Sequence, residues 1–418
     1  MIAIPRSARV AESPRILLEM LWLSVLTAAA SEPHRVTLDN GLTVTVVTDQ
    51  AMPHLVVQHW IMSGSAADPL THPGLAHLVE HVMVRDSGME ETIAALGGQL
   101  SAFTTPDYTR YSAQVAPADF SQTLQILAPI NLTETTVASA RRVVAEEFAQ
   151  RGGYTARLRA AIDAAYWREH PYAAAASWMM VDPDTLTTAD CAGFIEAHYR
   201  PDQTQLVVIG PLSEGDVLEV VRSNYGKLNE EPSVTIKQPH TPPEHIALST
   251  GPAAVRLAGL IWPLPPTAHP DQPALQLALG GLPAAAPALM PGAMSAGGHV
   301  SWRADGSRLL LSGIYSALRS DTRITADLAR AAEQAGQWLT ASRLEAARRI
   351  RIRQLLRNRL DPSRLARQLG WSAVMRGEVR ATDAEIAALE ALTVEAVEAV
   401  WRRWISSVDP IEVIVNVD

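Results

Sequence analysis

One order of sequence patterns occurs twice in this chain, and that repetition constrains the fold more than any other feature. Residues 55–81 read LVVQHWIMSGSAADPLTHPGLAHLVEH, an apolar strand followed by a proline-containing loop with a His-Pro pair and then an apolar helix. Residues 255–281, VRLAGLIWPLPPTAHPDQPALQLALGG, repeat this order. Such self-similarity is typical of internal duplication, so the sequence predicts two similar domains.

The local patterns predict that these domains belong to the α+β class. In the first half, RVTLDNGLTVTVV alternates apolar and polar residues on both sides of Asn40-Gly41, which is a strong hairpin signal. Helical patterns and a buried strand follow, so we expect an antiparallel sheet packed with helices in each half. We predict an N-terminal extension over 1–33, a first domain over 34–228, a polar, proline-bearing linker over 229–245, and a second domain over 246–418.

Net charge and cysteine content exclude several classes of protein. The formal net charge of −9 does not provide the basic surface that phosphate binding needs, so we expect no nucleic-acid partner. The single cysteine, Cys191, rules out an intrachain disulfide and a cysteine-rich zinc cluster. A metal ion would therefore have to be held by histidines and carboxylates.

The N-terminal extension has features of an export signal. Arginines precede an apolar run over residues 16–30, and this run ends in small residues before Ser31. Glu19 interrupts the run, so a cytoplasmic N-terminal helix is the alternative. We favour export to a periplasm-like compartment. The run is too short for a comfortable transmembrane span, and we expect no integral membrane span.

The helix of the first repeat carries two histidines and a glutamate on one face. His77 and His81 lie one helical turn apart, and Glu80 shares their face, so both imidazoles can point at one ion. The spacing H-x-x-E-H is the inverted form of a zinc-peptidase motif. The alternative is two ordinary histidines beside a charged residue. The second repeat has no such pattern, so any site lies in the first half.

This pattern suggests hydrolytic chemistry. Catalytic zinc uses three protein ligands and leaves one position open, so a third ligand must come from elsewhere in the chain. Glu80 is then free to act as a general base towards a water molecule that the metal acidifies.

Three stretches, SGSAADPLTHPGLAHLVEH, ALGGQLSAFTTPDYTRY and ARRVVAEE, together resemble the pitrilysin/insulinase-like zinc peptidases. The resemblance is closest to the two-domain branch that includes the mitochondrial processing peptidase, and it covers most of the chain. It implies two similar domains that form one half of a clamshell, with Zn²⁺ as the cofactor.

The resemblance also implies roles for individual residues. His77 and His81 match the histidine ligands, Glu80 matches the general base, and Glu147 in ARRVVAEE matches the third ligand, with Glu146 as a possible supporting neighbour. Taken alone, Glu147 would be interpreted as a solvated helix carboxylate.

Two departures from the family pattern lie in the first half. Ala140 occupies a position where the family often has a glutamate that assists catalysis, so this departure affects catalytic power more than zinc binding. Ser101 and Ala102, followed by Phe103, replace an Asn-Ala pair on the strand that lines the substrate. These three residues remain the candidate substrate-binding residues, because an edge strand can hold an extended peptide through its backbone.

The second half departs further from the family. Relatives that work alone, and the partner subunits of those that do not, have an arginine and a tyrosine there that grip the substrate backbone. The matching segment, residues 284–302, has no arginine, and His299 stands in place of the tyrosine. Its helix is expected to be broken by Pro287, Pro291 and Gly292. We therefore expect a homologous partner subunit that supplies the missing arginine and tyrosine.

The leading functional hypothesis is a zinc endopeptidase that cleaves peptides or unfolded segments as the metal-bearing subunit of a heterodimer. A catalytically silent scaffold subunit is the alternative from a different class. A third hypothesis, a dedicated maturation peptidase for a ribosomally made precursor peptide, shares the chemistry and differs in substrate.

Overall fold

A computed structural model describes residues 31–86, 88–128, 132–151, 154–177, 182–226, 240–249 and 255–417. The proposed export signal and most of the predicted linker, residues 229–239, lie outside this part of the chain. The exact domain boundaries therefore stay a prediction.

The first half contains a six-stranded sheet. Its strand order is β1-β2-β6-β3-β5-β4. The strands are β1 His34–Thr37, β2 Thr43–Thr48, β3 Leu55–Ile61, β4 Gln99–Thr104, β5 Thr109–Val115 and β6 Thr204–Gly210. The predicted hairpin is present, since β1 pairs antiparallel with β2 around Gly41, whose φ of 87° suits glycine.

The described part of the first half also contains eight α-helices. They are α1 Leu75–His81, α2 Met89–Ala95, α3 Phe120–Leu127, α4 Glu134–Arg151, α5 Tyr154–Trp167, α6 Tyr172–Ser177, α7 Thr188–His198 and α8 Glu214–Tyr225. The helical part of the chain between β5 and α6 is divided among α3, α4 and α5. Helix α2 ends in a Schellman motif, in which Gly98 N–H donates to the carbonyl of Ile93 and Gly97 N–H to that of Ala94.

The second sheet repeats the topology of the first. Its order is β7-β11-β8-β10-β9, with β7 His245–Ser249, β8 Val255–Leu264, β9 Ser295–Ser301, β10 Ser307–Ser316 and β11 Ile411–Val417. Strand by strand, this is the order β2-β6-β3-β5-β4 of the first half. The predicted fold class, two similar α+β domains, is therefore confirmed.

The sheets depart in one respect from the predicted antiparallel arrangement. Each contains one parallel pair, β2 with β6 and β7 with β11. The strand that comes last in the chain, β6 in the first sheet and β11 in the second, follows helices and not a hairpin turn. Its direction is therefore not forced to be antiparallel to that of its neighbour.

Helices of the second half are α9 Gln272–Ala278, α10 Ala286–Leu289, α11 Asp321–Gly336, α12 Ala341–Arg359, α13 Pro362–Arg376, α14 Thr382–Ala391 and α15 Val394–Trp401. Helix α10 is only one turn long and ends before Pro291 and Gly292, as predicted, whereas Pro287 lies in its first turn and does not break it. None of the described helices is both long and apolar enough to cross a bilayer.

Each half contributes helices to the sheet of the other half. Helix α13 packs Leu365, Ala366 and Leu369 against the central strands of the first sheet, where Trp60 is fully buried. Conversely, α5 and α6 contribute a group of apolar and aromatic side chains to the second sheet: Leu158, Ile162, Tyr166, Trp167, Tyr172 and Ala173. The opposite face of the first sheet carries α1, α3 and the largest core cluster.

Candidate metal centre

Helix α1 begins abruptly because a buried aspartate caps it. Asp68 accepts hydrogen bonds from the backbone N–H groups of Gly74, at 2.7 Å, and Ala76, at 2.8 Å. Gly74 has a φ of 95°, a left-handed conformation that lets the chain turn into the helix. Burial raises the pKa of Asp68 to about 7, and these N–H donors act in the opposite direction.

The structure brings His77, His81 and Glu147 together. The Nε2 atoms of the two histidines are 3.3 Å apart. Glu147 Oε2 lies 3.7 Å from His77 Nε2 and 3.8 Å from His81 Nε2. Among the described residues these three form the one group of His, Cys, Asp or Glu side chains close enough to share a metal ion.

The geometry and chemistry of this group fit zinc. A tetrahedral site with bonds of about 2.0–2.1 Å has ligand atoms about 3.3 Å apart, within about half an ångström of the three separations here. Two imidazole nitrogens and one carboxylate oxygen are a donor set of catalytic zinc sites. The side chains of His77, His81 and Glu147 are 13%, 11% and 24% exposed, so the group is sheltered but reachable by water.

Glu147 reaches the histidines from α4, which packs across α1. On the same helix, Phe148 lies nearly parallel to the His77 ring, with centroids 6.5 Å apart. Ala140 is buried on α4, at the position where relatives often have a glutamate. Glu146 is exposed and does not join the metal group, so its supporting role stays a prediction.

Glu80 is buried and held by a threonine of the edge strand. Its Oε2 accepts a hydrogen bond of 2.5 Å from the hydroxyl of Thr104, the last residue of β4. Two tyrosines on the same side of the sheet, Tyr111 and Tyr199, share a hydrogen bond of 2.7 Å between their hydroxyls. Burial raises the pKa of Tyr111 well above its usual range, and Tyr199 and the charge of Glu80 raise it further. Both phenols are thus neutral neighbours of Glu80.

Strand β4 lies at the edge of the first sheet and pairs only with β5 among the described strands. Along β4, exposure alternates: Ser101 and Phe103 are exposed, whereas Ala102 packs against the core beneath α1. Ser101 and Phe103 therefore point to the face opposite the metal group. Whether these residues bind substrate stays a prediction.

The second half has apolar residues at the matching positions. Counted from the His-Pro pair of each repeat, His77, Glu80 and His81 correspond to Ala274, Leu277 and Ala278, which are buried core residues. His299, which stands in place of the family's tyrosine, lies half-buried on β9 opposite Leu310.

Sequence reasoning missed Asp68, Thr104 and the tyrosine pair. Thr104 and the tyrosines act through contacts with residues distant in the chain, and sequence periodicity carries no information about such contacts. The proline-containing loop before α1 was the only signal for Asp68.

Two family models match this chain. The one described as Insulinase (Peptidase family M16) matches residues 44–177, which contain every residue of the candidate metal centre. The other, described as Peptidase M16 inactive domain, matches residues 185–282.

Curated relatives have similar sequences over about half of their own length. The chain is 27% identical over 259 residues to the mitochondrial-processing peptidase subunit beta of Blastocladiella emersonii, covering 54% of each chain. It is 26% identical over 218 residues to the probable mitochondrial-processing peptidase subunit beta of Arabidopsis thaliana, covering 50% of this chain and 41% of the relative. It is 25% identical over 244 residues to the zinc protease PqqE of Helicobacter pylori, covering 54% of each.

Some solved structures have a similar fold over nearly the whole length of this chain. A protease from Helicobacter pylori superposes with a TM-score of 0.77 at 20% identity, over 93% of this chain and 100% of that one. A peptidase M16 inactive domain from Pseudomonas fluorescens gives a TM-score of 0.78 at 16% identity, over 92% and 98% of the two chains. The chain belongs to peptidase family M16, the insulinase family.

Proposed function

We propose that this chain is a zinc-dependent endopeptidase that cleaves peptides or unfolded segments. The observation that carries the proposal is the convergence of His77, His81 and Glu147 beside the buried carboxylate of Glu80. Two nitrogen ligands and one oxygen ligand leave a tetrahedral ion one position for water or substrate. The zinc protease names of relatives support the same cofactor.

In this proposal each residue has a separate task. His77, His81 and Glu147 would hold zinc, which when bound acidifies a water molecule and polarises the scissile carbonyl. Glu80 would accept the proton of that water and later donate it to the leaving amine. The Thr104 hydroxyl keeps the Glu80 carboxylate in place, and the edge strand β4 offers backbone groups to an extended peptide.

We further propose a partner subunit of the same fold. The second half contains neither the metal group nor an arginine in residues 284–302, so this chain would form one half of a clamshell. Relatives named subunit beta support an enzyme of more than one chain. Robust hydrolysis by this chain purified alone would contradict the need for a partner.

Zinc analysis of purified variants tests the metal assignment. The unaltered chain is expected to bind about one equivalent of zinc, and His81→Ala to lose it, because only two ligands remain. His299→Ala is the matched control, since it removes a histidine of the second half. Equal zinc contents in the two variants would contradict the assignment.

The role of Glu80 has its own test. Glu80→Gln should keep zinc, because the amide leaves the three ligands intact, and should abolish peptide hydrolysis by removing the base. Cleavage at the normal rate by this variant would rule out that role. A zinc-loaded, unaltered chain that cleaves no peptide with or without a homologous partner would favour the scaffold alternative.

A further inference from the structure

A polar cavity of about 170 Å³ lies beside the edge strand, on the face of the first sheet opposite the metal group. The cavity exists because α13 covers only the central strands of this face. Between α13 and the edge strand, the paired residues Gln58, Ser112 and Ser101 form a polar row across β3, β5 and β4. Gln58 ties this row to the helix by donating to Ser112 Oγ, at 3.2 Å, and to the carbonyl of Ser363, at 3.3 Å.

Two arginines give this cavity a positive charge. Arg110 extends from β5, with its guanidinium 5.5 Å from the centre of the Trp60 ring, and Arg367 extends from α13. No carboxylate lines the cavity, and neither arginine forms an ion pair with any other described residue. Burial lowers the pKa of Arg110, and the charge of Arg367 lowers it further, whereas Tyr108 and Glu80 act in the opposite direction.

The cavity is open to a peptide that binds at the strand edge. A peptide that adds to β4 as a new strand directs alternate side chains to this face, in line with Ser101. Ser101 is three positions from Thr104, the residue that holds Glu80, so the cavity lies roughly 10 Å along the strand from the base. A peptide side chain that enters the cavity therefore belongs to a residue about three positions from the scissile bond.

We propose that this cavity binds a carboxylate of the peptide substrate and so selects Asp, Glu or a chain-terminal carboxylate at that position. The inference rests on the proposed peptidase function and adds a preference for the substrate. Guanidinium groups bind carboxylates through charge-assisted, often bidentate hydrogen bonds, and the Gln and Ser side chains supply further donors. A lysine or arginine of the peptide would be repelled by Arg110 and Arg367.

Peptide binding to the Glu80→Gln variant, which is expected to keep the metal without hydrolysing its ligand, tests this inference. Labelled peptides of β-forming residues carry one central Glu, Gln or Lys and an amidated C-terminus, and fluorescence anisotropy gives their dissociation constants. We expect the Glu peptide to bind about fivefold to tenfold more tightly than the Gln peptide, and the Lys peptide to bind most weakly. A Gln peptide with a free C-terminus distinguishes a terminal carboxylate from a side-chain carboxylate.

Two further substitutions in that variant locate the effect. Arg367→Gln should remove the preference for Glu, whereas Arg364→Gln, at an exposed position of α13 outside the cavity, should leave it unchanged. Equal affinities for every peptide, no binding, or a preference that survives Arg367→Gln would overturn the inference. Hydrolysis without dependence on a carboxylate would overturn it and leave the peptidase proposal standing. Carboxylate-dependent binding without any hydrolysis by the zinc-loaded, unaltered chain, with or without a homologous partner, would contradict the peptidase proposal and leave this inference standing.

Discussion

His59 is a buried histidine that the fold keeps neutral. Its Nδ1 lies 3.1 Å from the carbonyl oxygen of Leu127, and its buried Nε2 has no hydrogen-bond partner in the described part of the chain. A proton added to Nε2 would therefore have no acceptor. Burial lowers the pKa of His59 from 6.5 to about 4, while the hydrogen bond to Leu127 acts in the opposite direction.

This shift predicts that His59 destabilises the folded protein in mild acid. Between pH 6.5 and about 4 the unfolded chain binds a proton at residue 59 that the folded chain does not bind, so the free energy of unfolding falls as the pH falls. From pH 7.5 to pH 5.0 we expect His59 to account for a loss of about 2 kcal/mol. Asp68, whose pKa burial raises to about 7, acts in the opposite direction over this range, so urea unfolding at the two pH values has to compare the metal-free protein with a variant that lacks His59.

A pair of glutamine variants isolates the contribution of His59. His59→Gln should raise the free energy of unfolding at pH 5.0 relative to that at pH 7.5 by about that amount, even if it lowers stability at both pH values. His245→Gln, at an exposed histidine of β7, should leave the pH dependence as it is. The same dependence in both variants would show that His59 is not the group that titrates.

For single residues, the sequence predicts positions best where neighbours along the chain determine the geometry. The shared face of His77, Glu80 and His81 follows from helical periodicity alone. Glu147 could be named only through resemblance to a family, because its approach depends on how α4 crosses α1. The hydrogen bond of Thr104 to Glu80 depends on where an edge strand ends relative to a helix, and no local pattern specifies that placement.

Among the secondary-structure elements, α13 makes an unusually close contact with a sheet. A Cβ atom placed on Gly370 would lie 2.3 Å from ring atoms of Trp60. Trp60 cannot easily yield, because it is fully buried and its indole N–H donates to Gln58 Oε1 at 3.1 Å. Glycine at this position therefore sets the distance between the helix and the first sheet.

Alanine at Gly370 should destabilise the protein although alanine is the better helix former. We expect the overpacking to cost about 1–3 kcal/mol, more than the gain of about 1 kcal/mol in helix propensity. Gly193→Ala on α7 is the matched control. Nothing lies within 4 Å of its added Cβ, so only the gain in helix propensity remains. Thermal or urea unfolding should therefore give changes of opposite sign; stabilisation by both substitutions would contradict this account.

Across the whole molecule, the two halves are joined by an exchange of helices. The repeated order of sequence patterns predicted two similar domains, but an apolar helix face does not indicate which sheet it will cover. The apolar residues of α13 would fit a helix packed on its own domain equally well. In the structure they cover the sheet of the first half, and α5 and α6 of the first half pack against the sheet of the second half.

This exchange predicts that neither half is stable alone, although all candidate metal ligands lie in the first. A fragment of residues 31–236 lacks α13 and would leave a group of apolar residues on the sheet uncovered: Val47, Val56, Trp60, Val207 and Ile209. We expect it to bind a hydrophobic dye and to show no cooperative unfolding transition. Co-expression with residues 237–418 should restore a cooperative transition, because both sheets regain their covering helices. A fragment of residues 31–236 that unfolds cooperatively and binds zinc as tightly as the intact chain would show that the exchanged helices are dispensable.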